Sequence, residues 1–286
     1  FKIVHRLTFA FLSLGALVLI VVSTVFYFQF KEALIERTLE QLSSVNMLKK
    51  KVMEEAVEAK KNKLSYFVQR NDLSGLKTAA RDLNLKQIES SLLPDSLLQE
   101  GKIVVFDAGT LLHSDSLLIA YCVPFAAQFF VFVEHPFFIE KALRERTGMG
   151  ATGESYIVGQ DTLMRTKSRF FPEKKPRTIQ VKTLGVKEVL AGREGRSVIR
   201  DYRDVRVLSA YRMLNIEGLK WILLSEIDEE EAIYSVVVMR NRLIVISTVF
   251  LLLIIMLSVF IFLCLSLSAL SCSAARSNIS SLSLRF

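Results

Sequence analysis

The chain has 286 residues, 51% of them hydrophobic, and a formal net charge of +8. Its mean hydropathy of +0.36 is high for a soluble protein of this size, and the excess sits at the two ends. The positive charge invites a nucleic-acid reading, but Lys and Arg are spread evenly among Glu and Asp; the pattern suits solvated faces and membrane-proximal phosphate contacts, and no nucleic-acid partner is expected.

Leu7 to Phe30 contains no charged residue, and neither does Leu243 to Leu270. About 20 apolar residues suffice to cross the hydrocarbon core, so both runs are long enough. The first exceeds the ~7–15-residue core of a signal peptide and ends in bulky Phe-Tyr-Phe-Gln-Phe, not in a small-residue cleavage site. It is expected as an N-terminal transmembrane anchor over residues 1–30, with a second transmembrane helix over 241–270. Lys2, His5 and Arg6 precede the first span, and short basic flanks stay in the cytoplasm. Arg276 and Arg285 agree with that orientation; Arg240 and Arg242, on the opposite flank, do not. A long loop is translocated largely regardless of charge, so residues 31–242 are expected outside the cytoplasm. Cys122 is the only cysteine of that segment. An internal disulfide there is impossible, and Cys122 reads as a core residue.

Residues 31–70 hold almost no helix breakers. Apolar residues recur at Leu34/Ile35, Leu39, Leu42, Val45, Leu48, Val52, Ala56 and Ala59, the three- and four-residue steps of an amphipathic helix. It would be about 60 Å long. Residues 31–101 are therefore expected as a helical stalk, with a second helix at SGLKTAARDL and a loop around Pro94-Asp95. Short runs rich in β-branched and aromatic residues follow at Lys102–Asp107, Leu117–Pro124 and Gln128–Glu134, the signature of antiparallel strands. FFIEKALRER is a short helix with Pro136 at its start and Thr147-Gly148 marking its end.

Gly148-Met-Gly-Ala-Thr-Gly153 spells G-x-G-x-x-G, but a dinucleotide fold needs a strand before the glycines and a helix after them. Here the order is reversed, so the glycines are expected to end a helix and enter a strand. That strand is Glu154–Val158; it turns at Gly159-Gln-Asp161 and returns as Leu163–Phe171. Thr183–Ala191 is a short helix. Arg196–Tyr202, Val205–Met213 and Leu219–Ile227 are three further strands, the last pair joined by the turn Asn215–Gly218. A helix from Asp228 then leads into the second span. The expected class is α+β: one antiparallel sheet covered by helices, with a long N-terminal helix and two flanking transmembrane helices.

The segment RTGMGATGESYIVGQDTLMRTKSRF, Arg146 to Phe170, resembles a segment of the extracytoplasmic Cache sensor domains, PAS-like sheets of bacterial chemoreceptors, histidine kinases and membrane cyclases. Ala191–Tyr211 followed by Gly218–Ala232 resembles the family's last three strands and exit helix. Asp204 stands where the family often has Gly at a hairpin. The resemblance implies a single Cache-like domain over 102–240, the distal half of a double domain being too short or missing. It implies a two-pass receptor of the bacterial inner membrane that binds a small molecule and relays a conformational change through the second transmembrane helix. A homodimer with packed 31–70 helices is expected. The Tyr/Arg/Trp/Tyr/Asp constellation of amino-acid-binding Cache domains is not found, so an amino acid is not implied. Residues 271–286 lack the proline and acidic residue of a relay helix and read as a truncated cytoplasmic tail. The intact protein is then expected to continue into an output domain; the competing readings are the input part of a membrane kinase or cyclase, or a non-sensing scaffold.

Candidate ligand contacts are Tyr156, Arg165, Arg169, Asp201, Tyr202 and Tyr211. Arg165 and Arg169 could hold a carboxylate with paired donors, and the tyrosines could wall the pocket. The alternative is that the arginines pair internally with Asp161, Glu154 or Asp201 and the tyrosines cap the core. The histidines, His5, His113 and His135, are scattered. No metal spacing, phosphate-binding loop or nucleophile motif appears, so no catalytic residue, metal or cofactor is expected. The run Asp228–Glu231 suits the first turn of a helix.

Overall fold

A computed structural model describes residues 2–92, 94 and 101–283; Asp95 of the expected loop and the last three residues of the expected tail lie outside them. The chain divides into two compact units, residues 34–233 and the paired ends 1–33 and 234–286.

The larger unit is α+β, and its strands form two sheets where the sequence suggested one. β1 (Lys86–Ile88), β2 (Val104–Asp107), β3 (Ile119–Phe125) and β4 (Gln128–Glu134) make the first, in the order β1-β4-β3-β2. β5 (Glu154–Gly159), β6 (Gly195–Arg200), β7 (Arg206–Met213) and β8 (Trp221–Asp228) make the second, in the order β5-β8-β7-β6. Every pairing is antiparallel. The expected strand Leu163–Phe171 is absent. Only isolated bridges, Val158 to Met164 and Leu163 to Gln180, mark it. Its polar residues are turned to partners elsewhere, as described below.

Helix α1 (Lys2–Gln69) lays one stripe on both sheets. Leu39 and Leu42 pack on Leu208, Ala210 and Ile227 of the second sheet; Met53, Val57 and Leu64 join Val105, Tyr121, Phe132 and Ile139. The buried stripe differs from the expected one. Leu48 and Val52 are exposed, while Asn46 and Lys49 are buried. The reason is specific bonding. The Asn46 amide donates to Ala210 O, Leu223 O and Ser225 Oγ, and Lys49 donates to Glu145 O and Ser155 Oγ. Burial lowers the Lys49 pKa to about 8 despite the nearby Glu145.

Short helices complete the unit. α2 (Leu73–Asp82) is capped by Asp72, which accepts from Gly75 N–H at 2.8 Å. α3 (Ala108–Leu111) is capped by Asp107. α4 (Phe137–Arg144) packs Ile139 and Leu143 into the core, and α5 (Leu184–Leu190) closes the outer face of the second sheet with Val186 and Val189. Cys122 is buried in an apolar cluster on the far side of the first sheet, as expected of a core residue. Asp204 has φ +64°, so it adopts the left-handed conformation where the family often places glycine.

Helix α6 (Glu229–Ser283) follows β8 with no residue between. By length and composition, Ser13–Gln69 and Glu229–Ile261 contain stretches able to cross a membrane. Within the smaller unit, Leu19, Ser23, Tyr27, Arg240 and Ser247 line an apolar groove, with the Arg240 guanidinium 5.4 Å from the Tyr27 ring centre.

Candidate functional site

The outer face of the second sheet is set by strand alternation. Glu154, Tyr156 and Val158 of β5, Ile222, Leu224 and Glu226 of β8, and Ser209 and Tyr211 of β7 share it, because Glu154 is opposite Glu226, Tyr156 opposite Leu224, and Ser209 opposite Glu226. Residues 160–194 and α5 cover this face, with Met164, Ile179, Val181, Val186 and Val189 packed on it.

Two carboxylates stand directly opposite each other beneath that cover. Like charges at such a pair repel, and both side chains are buried. Burial pushes Glu226 up to about 8, against the hydrogen bonds from Tyr156 Oη and Ser209 Oγ, each 2.8 Å. Burial also raises Glu154, although it accepts from Tyr202 Oη at 2.5 Å and Arg169 N–H at 2.6 Å. Glu226 is thus held mostly protonated at neutral pH. The Tyr156 and Tyr202 rings meet edge to face at 5.4 Å, and Tyr202 Oη lies 2.8 Å from Ser168 Oγ.

Of the six sequence candidates, Tyr156, Tyr202 and Tyr211 lie on or over this face. Tyr211 is packed under α5 with its hydroxyl 3.2 Å from Ser197 Oγ. Asp201 is buried and occupied, accepting from the N–H groups of Arg203 and Val205 and from the Arg203 guanidinium. Arg165 does not stand free to hold a carboxylate. Its Nε donates to Asp107 at 2.7 Å, and its terminal nitrogens donate to Asp161 and to Leu163 O. Asp107 also takes Arg177 and the Trp221 indole N–H. Burial pushes the Asp107 carboxyl upward, but the bonds from Arg177 and Arg165 outweigh it and hold the group below its ordinary range. This clasp joins β2, β8 and residues 165–177, which is why Leu163–Phe171 cannot run as a regular strand.

Of the six, Arg169 lines an open cleft. The cleft measures about 410 Å³, within the range of small-molecule sites, and lies between the end of α4 and residues 166–169. Leu143, Arg146, Gly153, Ser155, Lys167 and Ser168 share its wall. Sequence reasoning missed Glu226 and Ser209, and named Glu154 only as a possible internal partner of the arginines. Single polar residues in an alternating strand look like outward positions, and only the cover of residues 160–194 makes them internal.

The glycine motif has a distinct role. Gly148 and Gly150 have φ of +79° and +67°, and the loop between them and Gly153 points its N–H groups at a carboxylate. That carboxylate is Glu231 of α6, which accepts from Ala151 N–H at 2.5 Å, Thr152 N–H at 2.7 Å and the Thr152 hydroxyl. Successive backbone N–H groups in such a turn form an anion-binding concavity. A Cβ at Gly150 would come within 2.5 Å of Glu231 Oε1. Asp228 and Glu229 are held as well, by Arg203 and Arg206. The end of β8 and the first turn of α6 are therefore tied down at three carboxylates, Asp228 on the strand and Glu229 and Glu231 on the helix.

What fold and site define together is a two-sheet α+β unit whose last strand feeds a membrane-capable helix. No protein-family model and no curated protein matches the chain. Among solved structures it is similar to ligand-binding sensory domains of bacterial chemoreceptors. One is the domain of the Pseudomonas fluorescens chemoreceptor CtaA in complex with L-isoleucine, at 11% identity and a TM-score of 0.45, covering 73% of this chain and 99% of that one. Another is the sensory domain of Campylobacter jejuni chemoreceptor Tlp3, at 10% identity and a TM-score of 0.49, covering 71% and 98%. The same domain with isoleucine bound gives 11% identity and 0.47, covering 71% and 97%.

Proposed function

We propose that the chain is a two-pass membrane receptor in which residues 31–242 lie outside the cytoplasm, bind a small molecule and relay a conformational change through the second transmembrane helix. One observation carries this reading: β8, a central strand of the second sheet, passes into α6 with no linker. A shift of that strand moves the start of the helix directly. In this reading residues 1–30 anchor the chain, 31–101 form a mainly helical part whose end lends β1 to the first sheet, 102–240 form the sensor part, and 241–270 cross the membrane ahead of a cytoplasmic tail. Arg169 touches the ligand from the cleft wall, Tyr202 stands behind it through Ser168, and Tyr156, Arg165, Asp201 and Tyr211 hold the surrounding frame. Exposed Met47, Leu48 and Val52 on α1 suit packing against a second copy.

The test uses the full chain in nanodiscs, warmed with a panel of small molecules that includes L-isoleucine, isoleucine being bound in two of the similar sensory domains. A ligand should raise the melting temperature in a concentration-dependent way. It should also change amide hydrogen exchange in the first turn of α6. A panel that binds without altering that turn would sink the relay, and a melting temperature unmoved by any compound would sink sensing.

A further inference from the structure

The cleft beside β5 carries an unbalanced charge. Arg144, Arg146, Lys167 and Arg169 line it, against only Glu140 and Glu154. Glu140 is taken by Arg144 at 3.7 Å and His135 at 3.4 Å. Glu154 is buried and already accepts from Tyr202 and Arg169 N–H. Arg146 and Lys167 make no ion pair among the described residues. The Arg169 guanidinium donates to a backbone carbonyl, Gly153 O at 3.0 Å, and lies 5.4 Å from the Phe170 ring centre. Three cations without a carboxylate partner thus face one concave space large enough for a small molecule. Converging like charges raise the local potential and attract an anion. Guanidinium groups suit carboxylate and phosphate because they offer paired donors.

The same arginine reaches the helix tie. Gly153, whose carbonyl Arg169 holds, ends the loop that cradles Glu231. Burial pushes the Glu231 carboxyl upward, but Thr152 and the loop N–H groups hold it low, and the charge of Arg169 adds to that hold. We propose that the cleft binds a small organic anion, carrying a carboxylate or phosphate, and that this anion competes with Gly153 O and Glu231 for Arg169, loosening the grip of residues 150–152 on the first turn of α6. The inference rests on the sensing reading and adds to it the ligand's charge, its place and the contact it releases.

The test is calorimetric titration of the full chain in nanodiscs of uncharged lipid, with succinate and with inorganic phosphate at constant ionic strength. Saturable binding of either is expected, and which one binds names the anionic group. Arg146→Ala and Lys167→Ala should each weaken it about tenfold, the scale of one lost charge-assisted hydrogen bond. Lys182→Ala, which removes an exposed cation outside the cleft, should leave the affinity unchanged. Coupling is reciprocal, so Glu231→Gln should tighten the anion. Absence of saturable binding, or equal affinity in the wild type and the two cleft variants, overturns the site. Unchanged affinity in Glu231→Gln overturns the competition. A neutral compound that stabilises the wild type and Arg146→Ala equally would leave sensing intact and refute the anion cleft.

Discussion

The first sheet is apolar on both faces. Tyr121, Val123 and Phe132 face one cluster, and Ala120, Cys122 and Val131 face another. Its buried carboxylate, Glu134, is matched by Lys60 and by the Tyr121 hydroxyl. The second sheet has the same strand count and the same antiparallel pairing, yet it buries Glu154, Ser155, Ser209, Ser225 and Glu226. Glu226 has no cation partner among the described residues and is kept neutral by burial instead. The difference teaches where each sheet's stability resides. The first rests on area removed from water. The second gives up part of that for polar groups whose bonds depend on protonation, and it is the second that leads into α6.

Substitutions can break or sharpen that contrast. The largest effect is expected for Phe132→Ala in the first sheet, a loss of about 3–5 kcal/mol from an emptied core position. Urea denaturation followed by circular dichroism measures it, and a loss below about 1 kcal/mol would contradict the apolar account. Asn46→Ala should cost about 1–3 kcal/mol by removing the donor that pins α1 to the second sheet. Here a counter-effect is built in, since Asn46 Oδ1 is buried without a partner and its removal relieves part of the loss. Gly150→Ala should cost about 1–2 kcal/mol from the left-handed backbone alone and should expel Glu231. Faster hydrogen exchange at Ala151 and Thr152 reports the expulsion; unchanged exchange would mean the loop holds without it.

Glu226→Gln is nearly silent at low pH and grows with pH. The folded state holds the Glu226 proton up to about pH 8, whereas an unfolded glutamate releases it near 4.5. Between those values the folded state binds more protons, so wild-type stability contributed by this group falls as pH rises. Lys49 does not confuse the window, because its own contribution changes only between about 8 and 10.5, in the opposite direction. The glutamine variant should therefore gain on the wild type steadily from pH 5 to pH 8, and parallel melting curves over that range would disprove a buried neutral Glu226.

Alternation and turn residues made most strands legible. Gln128–Glu134 falls where β4 lies, and the turn ending at Gly218 separates β7 from β8 as expected. The division into two sheets was not legible, because periodicity says which face a residue takes and not which strand it pairs with. β1 is three residues long and has no pattern to read. Leu163–Phe171 mimics a strand, yet Arg165 is claimed by Asp107, which lies 58 residues earlier in the chain. Within α1 the buried stripe passes through Asn46 and Lys49, residues that hydropathy assigns to solvent, and their acceptors lie on β5, β7, β8 and the segment after α4. Arg169 was found by its chemistry, but the cleft that gives it purpose is made by α4, whose relation to β5 is tertiary. The order of elements around the glycine motif, helix before and strand after, was legible in the sequence, while the carboxylate its loop holds, Glu231, could be known only once the loop and α6 were seen together.

Trp221 is the only tryptophan of the chain, and its indole N–H lies 3.2 Å from Asp107 Oδ2, at the clasp that joins the two sheets. An indole beside one carboxylate and two guanidinium groups experiences a strong local field, and its emission colour follows that field. The unmodified protein therefore contains its own optical gauge at the seam between its halves. Any rearrangement that draws Arg165 or Arg177 away from Asp107 changes the spectrum of a single chromophore, with no label attached and no other tryptophan to dilute the signal.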